Sequence, residues 1–323
     1  MAHELEIVNG KAQMAYAGDV PWHGLGKKVS NDLTPEQMLE EAGLNWEVEK
    51  VPTFAMIGGK KTVIDREVLL RKSDDKILDI VTPDWNPVQN AEAFDFFNDY
   101  VMAGDMEMHT AGSLKGGQII WGLAKVKESF ELFKGDKIDS YLLFSNFHRY
   151  GFSTDVRFTP IRVVCNNTLT LSLNSKVERM VKISHRKQFN ADNVKDMLGV
   201  AKDKLQQYKE MATFLGSKKA KNEDIVTYFK RIFPVLGAPK QDKELSRNAK
   251  LALEVIDNQP GAKYAQGTWW QPYNAVTYIT DHLAGRSADT RITSAWYGAN
   301  KNLKIKALET AVEIDRKSTR LNS

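Results

Sequence analysis

Hydrophobic periodicity changes its step once along this chain, and that change limits the folds open to it. From Trp46 to about Phe158 the apolar residues come in short runs suited to strands. From about residue 190 they form stripes spaced three and four apart. A step of two puts side chains on alternate faces of a strand, and a step near 3.6 puts them on one face of a helix. Strands followed by helices predict an α+β fold: an N-terminal mixed antiparallel-sheet domain with helices, then a mainly helical C-terminal region. The change of texture near 176–190 divides the chain into 1–185 and 186–314.

Local signals place the elements. Thr34-Pro35-Glu36-Gln37 predicts a helix start, with threonine as cap, proline in the first turn and Gln37 closing a capping box. Trp46 to Phe54 alternates as a strand and Gly58-Gly59 offers a tight turn. Glu67–Arg71 and Ile77–Thr82 flank Ser73-Asp74-Asp75-Lys76 as a hairpin. Asn90 caps a helix carrying Phe94, Phe97 and Val101. Met106–Leu114 and Gln118–Val126 flank Lys115-Gly116-Gly117 as a second hairpin, and Ser140–Phe147 reads as a third strand. Ile161–Leu173 reads as a helix, because it exceeds the usual strand length. Further helices fall on the stripes at Val194–Leu215, Ile225–Phe233, Leu251–Ile256, Tyr273–Leu283 and Leu303–Ile314.

Several short stretches have unusual wording. Thr159-Pro160-Ile161-Arg162-Val163-Val164-Cys165-Asn166-Asn167-Thr168-Leu169 holds the only cysteine and two adjacent amides. Pro21-Trp22-His23-Gly24-Leu25-Gly26, Asn86-Pro87-Val88-Gln89-Asn90, Thr110-Ala111-Gly112-Ser113-Leu114 and Gly267-Thr268-Trp269-Trp270 occur with it in a fixed order. In these motifs the chain resembles the phage/plasmid-like proteins of domain-of-unknown-function family 932, from residue 1 to about residue 312. The resemblance implies a phage or plasmid setting. It carries no established activity. Asp315 to Ser323 reads as a translated sequencing adapter rather than native protein, and is set aside from fold reasoning.

Composition is that of a globular protein, 42% hydrophobic and 27% charged. No run approaches the roughly 20 apolar residues that span a bilayer, and no secretory signal opens the chain, so a cytoplasmic location in a host bacterial cell is expected. A single cysteine fits that reducing compartment. The net charge of +4 hides an asymmetry: residues 1–175 carry a balance of −7 and residues 176–250 a balance of +9. A basic block beside an acidic one suits a polyanion, although lysines on solvated helix faces give the same count.

Common catalytic motifs are missing from the sequence. There is no phosphate-binding loop, dinucleotide fingerprint, zinc-ligand spacing or nucleophile elbow, so no cofactor, metal or catalytic residue is assigned. Two binding candidates stand out. The first is a cationic group of Arg149, Arg162, Arg179, Lys182, His185, Arg186 and Lys187, with Phe147, Tyr150 and Phe152 to stack on unpaired bases. The second is a ligand loop of Trp22, His23, Gly24 and Gly26, where an indole can stack and glycine frees backbone amides for an anion. Asn274, Asp281 and His282 form a possible polar helix face.

The leading expectation is non-catalytic binding of single-stranded DNA in replication or recombination. The order of strands and helices is similar to that of phage single-strand annealing proteins, an analogy of topology alone. The alternatives are a small hydrolase or nucleotide-modifying enzyme using His23, Cys165, His185 or His282, and a protein-binding inhibitor of a host factor. Partners on these readings are single-stranded DNA, a second copy of the chain, or a host protein, with no membrane.

Overall fold

The structure, a computed structural model, describes residues 4–21, 24–127, 129–162, 181–186, 188–192, 194, 206, 209–235, 244–285, 290, 294–295 and 297–321. The side chains of 130, 159–162 and 315–321 fall outside that description.

Thirteen strands are described. They are β1 (Ile7–Val8), β2 (Lys11–Ala12), β3 (Met14–Ala17), β4 (Lys27–Val29), β5 (Val48–Ile57), β6 (Lys60–Arg71), β7 (Lys76–Val81), β8 (Met106–Leu114), β9 (Ile119–Val126), β10 (Phe130–Phe133), β11 (Asp136–Phe147), β12 (Thr154–Arg162) and β13 (Val181–Ile183). The main sheet runs β13-β12-β11-β9-β8-β3-β4, with β10 on β11. A separate meander runs β5-β6-β7, and β1 pairs with β2. The main sheet is mixed, because β3 and β4 are parallel while β3 and β8 are antiparallel. The fold is α+β, with the sheets in the N-terminal half and the helices mainly toward the C-terminus.

Local chemistry explains the elements that read clearly. Helix α1 (Pro35–Glu41) starts as expected: Thr34 Oγ1 accepts the Gln37 N–H at 3.2 Å, and Gln37 Oε1 accepts the Thr34 N–H at 2.9 Å. Gly58 and Gly59 take φ values of 56° and 80°, the left-handed pair that a two-residue hairpin needs between β5 and β6.

Two helix expectations are corrected. The helix expected from Asn90 breaks into α2 (Asn90–Asp95) and α3 (Asn98–Met102), and Gln89 is its N-cap. Asn90 does not cap, because its side chain is buried and donates to the Leu44 carbonyl at 2.9 Å. Ile161 and Arg162 continue β12 as strand, so a helix does not begin at Ile161; Val163–Leu173 lie outside the described residues.

The chain gathers into two compact units, and they interleave. One holds 1–128, 141–158 and 180–200; the other holds 129–140, 159–179 and 201–323. A single cut near residue 185 therefore does not separate them. In the first unit, β13 belongs with the sheet because it pairs with β12, Thr154 opposite Ile183. In the second, β10 joins the helices through Phe133, whose ring lies 6.1 Å from the Trp270 ring. A Cβ on Gly216 would come within 2.1 Å of Phe133 Cζ. The helices of this unit include 209–217, Asn222–Ile232, Arg247–Val255, Trp270–Tyr278 and Ala299–Leu321, with a π-helical turn at Ile279–Leu283. Among the described residues no helix is long and apolar enough to cross a membrane.

The core of the first unit is aromatic. Phe94, Phe96, Phe97, Phe144 and Trp121 are fully buried. Gly112 and Trp121 face each other across β8 and β9, and a Cβ on Gly112 would sit 2.2 Å from Trp121 Cη2. Gly112→Val is expected to lower stability by at least ~1–3 kcal/mol, the usual range for overpacking. Adding Trp121→Leu is expected to restore part of the loss. Thermal unfolding checks both, and a single variant that melts with wild type contradicts the contact.

Candidate nucleic-acid interface

Two turns meet at one end of the main sheet. β11 ends at Phe147 opposite Ile119, and the chain turns through 149–153 into β12. Because Thr154 pairs with Ile183, that turn lies beside the Ser184–Arg186 turn that follows β13. The neighbours are therefore set by ladder register.

The first turn is aromatic and cationic. Tyr150 and Phe152 are exposed at 44% and 42%. The Phe152 ring is backed by buried Phe147, centroids 5.3 Å apart and planes 15° from parallel. Arg149 Cζ lies 4.9 Å from the Phe152 centroid. Asp79 Oδ2 anchors the turn by accepting the Tyr150 N–H at 2.8 Å.

The second turn is split between surface and core. Arg186 is exposed and meets Asp84 at 3.4 Å. Both partners are solvated, so the pair holds the guanidinium weakly. Lys182 is exposed and stands opposite Asp155 in the ladder. His185 differs from expectation: it is 3% exposed, and burial lowers its pKa, so it adds no positive charge to the surface. Its ring stacks on Trp85 at 4.1 Å.

Inside the turns lies a network that the sequence did not reveal. The Asn86-Pro87-Val88-Gln89-Asn90 segment supplies most of its partners. His185 Nδ1 donates to the Asn86 carbonyl at 2.9 Å, and the Asn86 N–H donates to the His185 carbonyl at 2.7 Å. Asn146 Nδ2 donates to the Val88 carbonyl at 2.7 Å. The Thr154 hydroxyl lies between two acceptors, Asn146 Oδ1 at 3.2 Å and His185 Nε2 at 3.4 Å. Gln89 bonds both backbone groups of Val48. Asn90 Nδ2 donates to backbone carbonyls, which leaves Oδ1 to accept from His148 Nε2 at 2.8 Å. His148 Nδ1 is then a bare lone pair, buried with no hydrogen-bond partner among the described residues.

The electrostatics follow from burial. His148 is fully buried and its pKa is pushed down to about 3, first by desolvation, then by His185 and Arg71. Both imidazoles are neutral near pH 7. Among the described residues the network contains amides, a hydroxyl and two neutral rings, with no carboxylate or thiol to serve as base or nucleophile. Its chemistry is that of a rigid support for the two turns.

The other candidates are placed less completely. Arg162 closes β12 by its backbone only, and Arg179, Lys187, Trp22, His23, Cys165, Asn166 and Asn167 lie outside the described residues. Gly24 donates its N–H to the Pro21 carbonyl at 2.8 Å. Gly26 has φ +104° and passes so close to β3 that a Cβ would lie 3.2 Å from the Met14 carbonyl oxygen. In the second unit, Asp281 turns inward to Lys304 Nζ at 2.7 Å, and His282 lies against Tyr278 with ring centroids 5.0 Å apart. Asn274 Nδ2 donates to the Trp270 carbonyl at 2.7 Å. Among the described residues no group of three His, Cys, Asp or Glu gathers for a metal.

Fold and surface together define a mixed α+β protein whose sheet carries a rim of exposed rings and cations at one end. A family model described as Domain of unknown function (DUF932) matches residues 77–297, about two thirds of the chain, and the chain belongs to that family. Comparison with curated proteins and with solved structures returns no match.

Proposed function

We propose that this protein binds single-stranded nucleic acid without catalysis, through the rim formed by Arg149, Tyr150, Phe152, Lys182 and Arg186, in replication or recombination of phage or plasmid DNA. The observation that carries the reading is the 149–153 turn. An exposed ring backed by a second ring offers a base a stacking platform when the Arg149 guanidinium, which lies over it here, swings out to the phosphate next to that base. Sequence selectivity is not expected from such a surface, because every base has a face to stack. The buried network beside the turns keeps the platform in place without titrating near neutral pH.

Fluorescence anisotropy with a labelled oligonucleotide, at several salt concentrations, tests this. Tyr150→Ala with Phe152→Ala is expected to cost ~1–3 kcal/mol for each base that stacks. Arg149→Ala with Arg186→Ala is expected to reduce the salt slope by about 0.7 for each lost phosphate contact. Binding that is unchanged in both pairs, or no binding by wild type at low salt, overturns the reading.

A further inference from the structure

The β5–β6 hairpin extends past its sheet. β7 pairs with β6 only over Glu67–Arg71, so among the described residues the ribbon of residues 53–66 has no third strand. A two-stranded ribbon cannot bury its side chains, and here Phe54, Met56, Ile57 and Val63 are 50%, 65%, 62% and 72% exposed. Register places Phe54 opposite Val63 and Met56 opposite Lys61, so three of these apolar groups share one face. Single exposed hydrophobes are ordinary, but a cluster on a projecting arm marks a contact surface. The tip adds charge. Lys60 and Lys61 are exposed, neither has a carboxylate partner among the described residues, and Lys61 Nζ sits 4.0 Å from the Phe54 ring centroid. Within 53–66 the cations are Lys60, Lys61 and Arg66, against Asp65 alone.

Charge selects the occupant. A second copy of the arm laid face to face and parallel brings lysine tips toward one another, and laid antiparallel it offers them no carboxylate within 53–66 except Asp65. A neutral apolar groove leaves the lysines unanswered. A nucleic-acid duplex offers phosphates along its rims and stacked apolar bases inside. A two-stranded ribbon can enter a groove of the duplex, and apolar side chains inserted from the minor groove wedge between base steps. Five residue steps at ~3.3 Å give a reach of roughly 16 Å, which exceeds a minor-groove depth of about 7.5 Å. We propose that this arm is a duplex contact in which Lys60 and Lys61 hold phosphates while Phe54 and Met56 enter the groove and unstack a base step. It takes its ligand class from the nucleic-acid reading above, but uses a surface separate from the rim.

The experiment uses the full chain and a short DNA duplex carrying 2-aminopurine, whose fluorescence rises on unstacking. Wild type is expected to bind and to raise the signal. Lys60→Ala with Lys61→Ala is expected to lower the duplex salt slope by about 1.8, two contacts' worth. Phe54→Ser with Met56→Ser is expected to keep that slope and abolish the fluorescence rise. The arm contributes little to the core, so circular dichroism should match wild type in both pairs. The inference is overturned by wild type that binds no duplex, or by arm variants that bind and unstack normally. It is also overturned by a wild-type dimer that the serine pair dissolves while duplex affinity stays intact. If Arg149→Ala with Arg186→Ala weakens single-strand binding while the arm variants change nothing, the rim reading stands and the arm proposal falls. If only the arm variants lose binding, the rim reading falls instead.

Discussion

As pH falls from 6.5 toward 3, His148 is expected to cost the native state up to ~1.4 kcal/mol per pH unit. The unfolded chain takes up a proton near the ordinary imidazole value of 6.5, and the buried ring does so only at about 3. Between those values the unfolded state binds more protons, so acid favours unfolding. Above 6.5 both states are neutral and the contribution is complete. The cause is geometric: His148 is fully buried, donates its one N–H to Asn90, and among the described residues no carboxylate offsets its burial. His148→Gln keeps a donor for Asn90 and does not titrate. Urea unfolding across that pH range should show wild type losing stability more steeply than the variant. Parallel curves would mean that water or a counter-charge reaches the native ring.

The second large effect is expected at Arg71. Its guanidinium donates to Glu6 Oε1 at 2.8 Å and grips both oxygens of Asp74, at 2.7 and 2.6 Å. It also lies 5.0 Å from the Trp46 ring. Glu6 is 5% exposed, and its second oxygen accepts from Ser113 at 2.8 Å. Arg71→Ala strands that carboxylate, with only the half-exposed Lys76 among the described cations within reach, at 3.2 Å. Removing one partner of a buried pair typically costs ~3–5 kcal/mol. Lysine in its place keeps the charge and loses the two-pronged grip, so an intermediate loss is expected. Arg71→Met with Glu6→Gln should recover part of the stability, because no buried charge is left alone. A loss below ~1 kcal/mol for Arg71→Ala would show a solvated pair, the range of surface bridges.

The elements legible in sequence were those whose cause is local. The Thr34–Gln37 box and the Gly58-Gly59 turn each involve a few consecutive residues, and the β8–β9 hairpin differs only in its turn, a short 3-10 segment at Lys115–Gly117. The helix at Asn90 misleads for the opposite reason. Asparagine is a good cap in isolation, but here its amide serves His148, which lies 58 positions away. In sequence His185 reads as part of a basic surface because its neighbours are Arg186 and Lys187. Only the fold sets it against Trp85 and Thr154. Of the three rings grouped in sequence, Tyr150 and Phe152 are exposed because they lie in one short turn, whereas Phe147 ends a strand and is buried behind Phe152.

Sequence alone determined the class of fold, the hairpins and the family wording, since side-chain period and turn chemistry act over neighbours. Tertiary structure decided which polar residues became interior. Asn90, Asn146 and Thr154 carry no mark of burial in the chain, and Glu6 gains its partner Arg71 across 65 positions. It also decided the partition into units, because Phe133 follows its contact with Trp270 rather than its place among the strands. A hydrogen bond or ring contact depends on distance in space, and distance along the chain does not encode it.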